Sequence, residues 1–447
     1  MLKRVLLLAW LALAAPFALA QGSQGLNSGP MLGYSQPTEV AVWLQTRAPE
    51  RAQLRFWAGD GAPRLSPVRE TTREGDHIAV FRLAGLQPGT RYRYEVYLSG
   101  ERVDLPFPLE FQTQAADGAF KPRNITFAVG SCTFVDEPPR EDKSAYGGGY
   151  RIFGSIHRDH PEFMLWLGDN VYFRTTDWVG EESMRRRYRV DRANLVSSRP
   201  LLASCHHYAI WDDHDYGPND SDCSWELREQ ALKVFSDYWP GQAYGGGGRQ
   251  KGTYYRFNWG DVDFFMLDCR YYRSPPRYPD GPGKSMLGPV QLEWLKEGLA
   301  SSRASFKVVV CGSQVLNPIC LYEGYGRYPQ ERQEILDFVT RARIEGVVFL
   351  SGDRHAAELI RHTPEGGYPL YDFTSSPLTS SVHAEPKEAD NPGRVPGTWV
   401  NQSRNYGLIQ VTGPARERVM TLLCKDTDGK LLWQHGIPQK ELTFPAR

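Results

Sequence analysis

The sequence predicts an α/β layered fold preceded by a small all-β domain. Three observations carry that expectation. At 447 residues the chain exceeds one ordinary domain. From about Asn27 to Thr113, apolar and other side chains alternate as they do on half-buried strands. Beyond Pro122 the texture changes to near-continuous apolar runs with helical patterns between them, as strands covered on both faces require.

The first residues read as an export signal. Lys3 and Arg4 precede the apolar stretch Val5 to Ala14, and Ala18-Leu19-Ala20 is an A-x-A cleavage site. Pro16 interrupts the run, and no later run reaches the roughly 20 apolar residues of a transmembrane helix. The expectation is no transmembrane anchor and a mature chain that starts near Gln21, secreted or periplasmic. Lys+Arg and Asp+Glu each number 52, and losing residues 1–20 leaves 50 basic against 52 acidic groups. That balance argues against dedicated nucleic-acid binding, which calls for a basic excess. A small phosphorylated substrate needs only local positive charge, which metal ions can supply.

In the first region, Glu39 to Leu44, Ala52 to Trp57 and His77 to Phe81 are expected strands. The turn Leu83 to Tyr92 leads into the alternating Tyr94, Val96 and Leu98. A turn ending in a Tyr that opens a long strand resembles the tyrosine corner of fibronectin-type and immunoglobulin-like sandwiches. Ala115 to Pro122 is the expected linker.

After it, six apolar runs end abruptly in polar residues: Ile125–Val129, Phe163–Leu167, Tyr208–Trp211, Val262–Leu267, Val308–Val310 and Val347–Leu350. Helices are expected over Pro289 to Ala300 and Pro329 to Arg343. An α/β fold places its site beyond the carboxyl ends of its strands, and that edge collects a Cys, several Asp and at least two His.

Four groups there carry chemistry. Asp169, in Gly-Asp-Asn-Val-Tyr, can bridge two cations, although alone it is more readily a helix N-cap. Tyr172 follows, packing residue or hard phenolate donor. Trp211-Asp212-Asp213-His214-Asp215 packs three carboxylates around one histidine, which repel one another unless cations neutralise them. The continuation to Asn219 and Asp220 adds oxygen donors. Asp353 and His355 flank Arg354 after the last run, and Cys132 offers a thiolate, a strong ligand for iron or zinc. An exported chain with seven cysteines has at least one unpaired, and metal ligation would occupy it. No G-x-S-x-G elbow, no G-x-x-x-x-G-K-[ST] loop and no C-x-x-C pair occurs.

With these residues in view, the chain resembles the alkaline phosphatase D (PhoD-like) family of the calcineurin-like metallophosphoesterases. Gly130-Ser131-Cys132, Gly168-Asp169-Asn170-Val171-Tyr172, Trp211 to Asp215 and Gly352-Asp353-Arg354-His355 look like its motifs. Leu267-Asp268-Cys269-Arg270 resembles a family Leu-Asp-Thr-Arg segment with Cys in place of Thr. The resemblance implies an α/β fold, a metallophosphoesterase αββα sandwich preceded by an immunoglobulin/fibronectin-like β-sandwich. The implied domains are 27–114 for the sandwich and 122–436 for the catalytic unit. It implies Fe3+ held by Cys132, Asp169 and Tyr172, with Asp169 bridging to Ca2+. Asp213, Asp353 and His355 would complete the cluster, with Asn219 contributing. His214, Asp215 and Arg270 are the implied catalytic residues, His214 as general acid; Arg270 and Tyr150 could steady the phosphate or simply pack. The implied function is a secreted phosphoesterase acting on phosphate mono- or diesters through a metal-activated water. The alternatives are a phospholipid or nucleotide diesterase on the same fold, and a non-catalytic surface binding protein.

Overall fold

The computed structural model describes residues 25–116, 121–137, 146–241, 243–383 and 385–445. The expected export signal, residues 1–20, lies outside them. Among the described residues no helix is long and apolar enough to cross a membrane.

The N-terminal region contains β1 (Leu26–Ser35), β2 (Glu39–Thr46), β3 (Arg51–Trp57), β4 (Arg64–Leu65), β5 (Arg69–Glu70), β6 (Ile78–Ala84), β7 (Arg91–Leu98), β8 (Glu101–Arg102) and β9 (Glu110–Gln112). One layer runs β4-β3-β7-β8, with β5 on β3 and β9 on β7; the other is β1-β2-β6. Alternation along β3 and β7 points Leu54, Phe56, Tyr94 and Val96 inward, where they meet Leu44 and Phe81. The expected tyrosine corner is present: Tyr92 Oη accepts from the Gln87 amide at 2.8 Å.

The rest is built on two sheets. β10 (Ile125–Gly130), β11 (Phe163–Leu167) and β12 (His206–Ile210) run parallel. The second sheet holds β13 (Tyr255–Trp259), β14 (Val262–Met266), β15 (Phe306–Cys311), β16 (Val347–Ser351), β17 (Glu358–His362) and β18 (Leu370–Thr374), in the order β13-β14-β15-β16-β18-β17. β19 (Asn405–Thr412), β20 (Val419–Asp426) and β21 (Leu431–Pro438) extend the first sheet antiparallel beyond β10. Every one of the six apolar runs is a strand, three in each sheet. The helices lie over Pro289–Ser301 and Pro329–Arg341, close to the expected spans.

Burial on both faces explains the unbroken apolar runs. Alternate residues of β10 and β11 face the other sheet: the Phe127 and Phe163 rings stack at 4.8 Å, each edge-on to Phe264 of β14 at 5.3 Å. The residues between them, Ala128, Met164 and Trp166, face outward. There they meet Ile152, Phe153 and Ile156 of α1 (Arg151–Arg158), Met184 and Tyr188 of α2 (Glu181–Asn194) and Leu201 and Leu202 of α3 (Arg199–Ser204). Truncating a ring such as Phe163 to Ala costs about 3–5 kcal/mol in a core of this kind.

The first sheet does not stop at β12. β1 pairs in parallel with β12, Leu32 opposite His206, so nine strands run β21-β20-β19-β10-β11-β12-β1-β2-β6. One layer of the N-terminal sandwich is therefore continuous with the sheet that carries the site. The segment expected as a linker is anchored at its start, where Gln114 Nε2 donates to Ser35 O and Asn258 O.

Candidate metal centre

The polar residues that follow β10, β11, β12 and β16 converge at one edge of the two sheets. The approaches after β10, β11 and β16 are made by sharp turns: Cys132, Asp169, Asp353 and His355 all have positive φ, at 61°, 52°, 67° and 55°. Non-glycine residues avoid this region, and such strain concentrates at functional sites. Gly168, at φ 99°, lets the chain pass β12; a Cβ there would lie 2.6 Å from Asp212 Cβ.

One half of the site surrounds Cys132. Its Sγ lies 3.3 Å from Asp169 Oδ2 and accepts from Ser376 Oγ at 3.2 Å. Tyr172 Oη is 3.4 Å from the same Asp169 oxygen and 3.2 Å from His355 Nε2. His355 is steadied by its amide on Ser376 Oγ at 2.9 Å and by its ring against His383, 4.4 Å between centroids. Thiol, carboxylate, phenol and imidazole thus form one chain of contacts. Burial, then the Asp353 charge, pushes the Cys132 thiol up to about 12.

The other half is acidic. Asp213 Oδ2 accepts from the Asp220 amide at 2.9 Å, while its Oδ1 is buried without a hydrogen-bond donor, as is Asp212 Oδ2. Three sets bring ligand atoms within 4.8 Å of one another: Asp169, Asp213 and His214; Asp212, Asp213 and Asp353; Asp213, Asp220 and Glu323. Burial and then neighbouring negative groups raise Asp169 and Asp353 well above the usual carboxylate range. Asp213 is held low against its burial by His214 and Arg270. Repelling, under-donated oxygens of this kind are what a cation would neutralise, so the donor set fits metal ions.

His214 opens the short helix α4 (Asp213–Tyr216) with Asp213. Its amide donates to Asp169 Oδ1 at 3.2 Å and its ring stacks on Tyr172 at 4.2 Å. The ring nitrogen is one of the groups within reach of Asp169 and Asp213.

Four residues expected at the site stand elsewhere in the network. Asp215 is turned away from the cluster: one oxygen accepts from the Asp212 amide at 2.7 Å, the other from Asn170 N and Nδ2 at 3.0 and 2.7 Å. It closes a capping box at the start of α4 and so positions Asp213 and His214. Arg270 is fully buried, and its fork is committed to protein acceptors. Nε donates to Asp212 at 2.5 Å, Nη1 to Glu323 at 3.1 Å and to Ser221 O at 3.2 Å, and Nη2 to Glu323. A phosphate would have to displace carboxylates to reach it. Asn219 and Asp220 are both exposed, and it is Asp220 that brings an oxygen near Asp213 and Glu323. Tyr150 Oη accepts from the Asp136 amide at 2.9 Å.

Sequence reading missed Glu323, Ser376 and His383. Glu323 sits in a Tyr-Glu-Gly loop with no strand-end signal, and only its pairing with Arg270 and Arg273 draws it in. Asp212 and Asp220 were visible within their motifs but unassigned as ligands.

A model of the PhoD-like phosphatases matches residues 127–416, more than half of the chain and every residue of this cluster. The chain belongs to the PhoD-like phosphatase family. It is a hydrolase of phosphoric ester bonds. A second family model, a domain of unknown function (DUF7800), matches residues 23–115 of this PhoD-like protein. Alkaline phosphatase D of Bacillus subtilis (strain 168) is 24% identical over 428 residues, covering 78% of this chain and 70% of that protein. A structure of PhoD superposes with a TM-score of 0.74 at 17% identity, over 94% of this chain and 93% of that one. Purple acid phosphatase PPD1 from yellow lupin (Lupinus luteus) seeds gives 0.65 at 12% identity, over 92% and 74%. The fold of this PhoD-like protein is thus the metallophosphoesterase αββα sandwich, with a β-sandwich before it.

Proposed function

We propose that this protein is an exported, metal-dependent phosphoesterase that hydrolyses small phosphate mono- or diesters with iron and calcium at the strand-end cluster. The observation that carries the reading is the convergence of Cys132, Asp169, Tyr172 and His355 with an acidic half built on Asp213 and Asp353. The basic, apolar and A-x-A segments of residues 1–20 support export. Residues 27–114 and 122–436 are read as its two domains.

Thiolate, phenolate and imidazole suit ferric iron, and the all-oxygen set of Asp212, Asp213, Asp220, Glu323 and Asp353 suits calcium. Asp169, facing both halves, would be the residue placed to hold both ions. Bound metals supply Lewis-acid polarisation of the phosphoryl oxygens and an acidified water. The chain orients the reaction: Asp215 fixes α4, Arg270 fixes Asp212, and Tyr172 holds the His214 ring by stacking. His214 is read as the group that gives a proton to the departing alkoxide.

A second reading is favoured for His214 by its ring nitrogen lying within reach of Asp169 and Asp213: a metal ligand. His214→Ala separates the two. Loss of kcat on esters with poor leaving groups at full metal content marks the acid; loss of metal by elemental analysis marks the ligand.

The test of function is release of p-nitrophenol from its phosphate monoester and diester, with and without a calcium chelator. Calcium-dependent release is expected, and the ratio of the two rates assigns the ester class. No release from metal-loaded protein would overturn the assignment. A visible absorption band that Cys132→Ser and Tyr172→Phe both alter is expected of the iron; a colourless, iron-free and fully active enzyme would remove iron alone.

A further inference from the structure

We infer that Cys269 and Cys311 form a disulfide that staples the second sheet beneath the acidic half of the site. Their Sγ atoms lie 3.0 Å apart, inside ordinary van der Waals contact. A closing movement of about 1 Å reaches the ~2.05 Å of a sulfur–sulfur bond. Strand geometry creates the proximity: β14 and β15 are parallel neighbours, and Leu267 N donates to Val310 O at 2.9 Å. Cys269 therefore follows β14 alongside Cys311, the last residue of β15. No other pair of thiols makes such a contact among the described residues, which include all seven cysteines.

The place of the bond gives it a role. Asp268, before Cys269, accepts from Trp211 Nε1 at 2.8 Å and from the Arg270 amide at 2.9 Å. Gly312, after Cys311, packs so closely on Asp212 that a Cβ would lie 2.7 Å from its Cγ. The staple thus joins the two turns that hold the Arg270–Asp212 pair.

Formation removes two protons and two electrons. One cysteine thiolate attacks a sulfur of a disulfide-bearing oxidant and releases that oxidant's first thiolate. The second cysteine then displaces the other half, leaving a Cys269–Cys311 bond and two reduced oxidant thiols. Both side chains are fully buried in the folded protein, so exchange precedes closure of this layer, and small reductants reach the finished bond slowly.

The test uses the full chain exported into an oxidising compartment of an expression host, denatured with N-ethylmaleimide present, and mapped by mass spectrometry without reduction. A peptide pair joined through Cys269 and Cys311 is expected. Maleimide on both, or linkage of either to a different cysteine, overturns the inference. Thermal unfolding gives an independent measure. Reduction in denaturant followed by refolding under reductant lowers the wild-type midpoint by roughly a few degrees, since the bond closes a loop of about 40 residues in the unfolded chain. Cys269→Thr is indifferent to reductant, and a wild-type midpoint equally indifferent counts against the staple.

Discussion

Asp169 faces both halves of the cluster, accepting from the His214 amide with one oxygen and facing Cys132 and Tyr172 with the other. Asp169→Asn keeps the volume and removes the charge that bridges the halves. The expected result is a fall of about 10³-fold or more in kcat/KM, with reduced metal content and an unchanged circular dichroism spectrum. Asp215 acts only through α4, so Asp215→Asn is expected to cost about 10–100-fold with metal retained. Arg270→Met leaves Asp212 buried without its cation and Glu323 with Arg273 alone, and denaturant titration should show a loss of about 3–5 kcal/mol. Cys132, Asp169, Asp213, Asp353 and His355 were legible because each follows a buried strand. Glu323 was not, because a loop carboxylate drawn in by a distant arginine leaves no local pattern. Asn219 and Asp220 differ by one position, and the turn decides between them. Asp220 adopts φ 61° and sends its amide to Asp213, which leaves Asn219 facing solvent.

At the scale of the element, β12 shows how polar residues disguise a strand. Its apolar run begins at Tyr208, yet pairing starts at His206, and both histidines are buried. His207 Nδ1 accepts from Trp166 Nε1 at 2.9 Å, which requires the neutral ring with its hydrogen on Nε2. Burial pushes its pKa from 6.5 down to about 3. The unfolded chain therefore takes the proton first. Stability is full above pH 6.5 and falls as pH drops towards 3, by about 1.4 kcal/mol per pH unit from this residue. Urea titrations at pH 7 and pH 5 should show that loss together with a like one from His206, which burial pushes down to about 4, and His207→Gln, which keeps an acceptor for Trp166, should roughly halve the fall. An unchanged slope in the variant would remove His207 from the acid response. The parallel strands themselves were plain in the sequence, since two-sided burial writes itself as an unbroken apolar run.

For the whole molecule, the N-terminal layer is the cover of an edge. β1 occupies the flank of β12, and the His206 ring spans the junction, Nδ1 2.9 Å from Gly33 O and Nε2 2.9 Å from Gln112 O, the neutral ring donating to one of the two. Deleting residues 1–116 bares the β12 edge and the apolar face beneath it, a template for pairing between chains. The deletion variant is expected to elute as aggregates on size exclusion where the full chain elutes as a defined species; a stable, soluble catalytic fragment would refute the covering role. The sandwich was readable from alternation and its tyrosine corner. Its fusion to the catalytic sheet was not, because the pairing joins segments far apart in sequence. That separation also sets a clock. Gly33 and His206 stand 173 residues apart, so at usual rates of synthesis roughly 10–35 s pass between the making of β1 and of its partner. One edge of the first strand pairs with β2 at once while the other stays open until β12 is made, and slower synthesis between the two lengthens the interval in which nascent chains can pair through it.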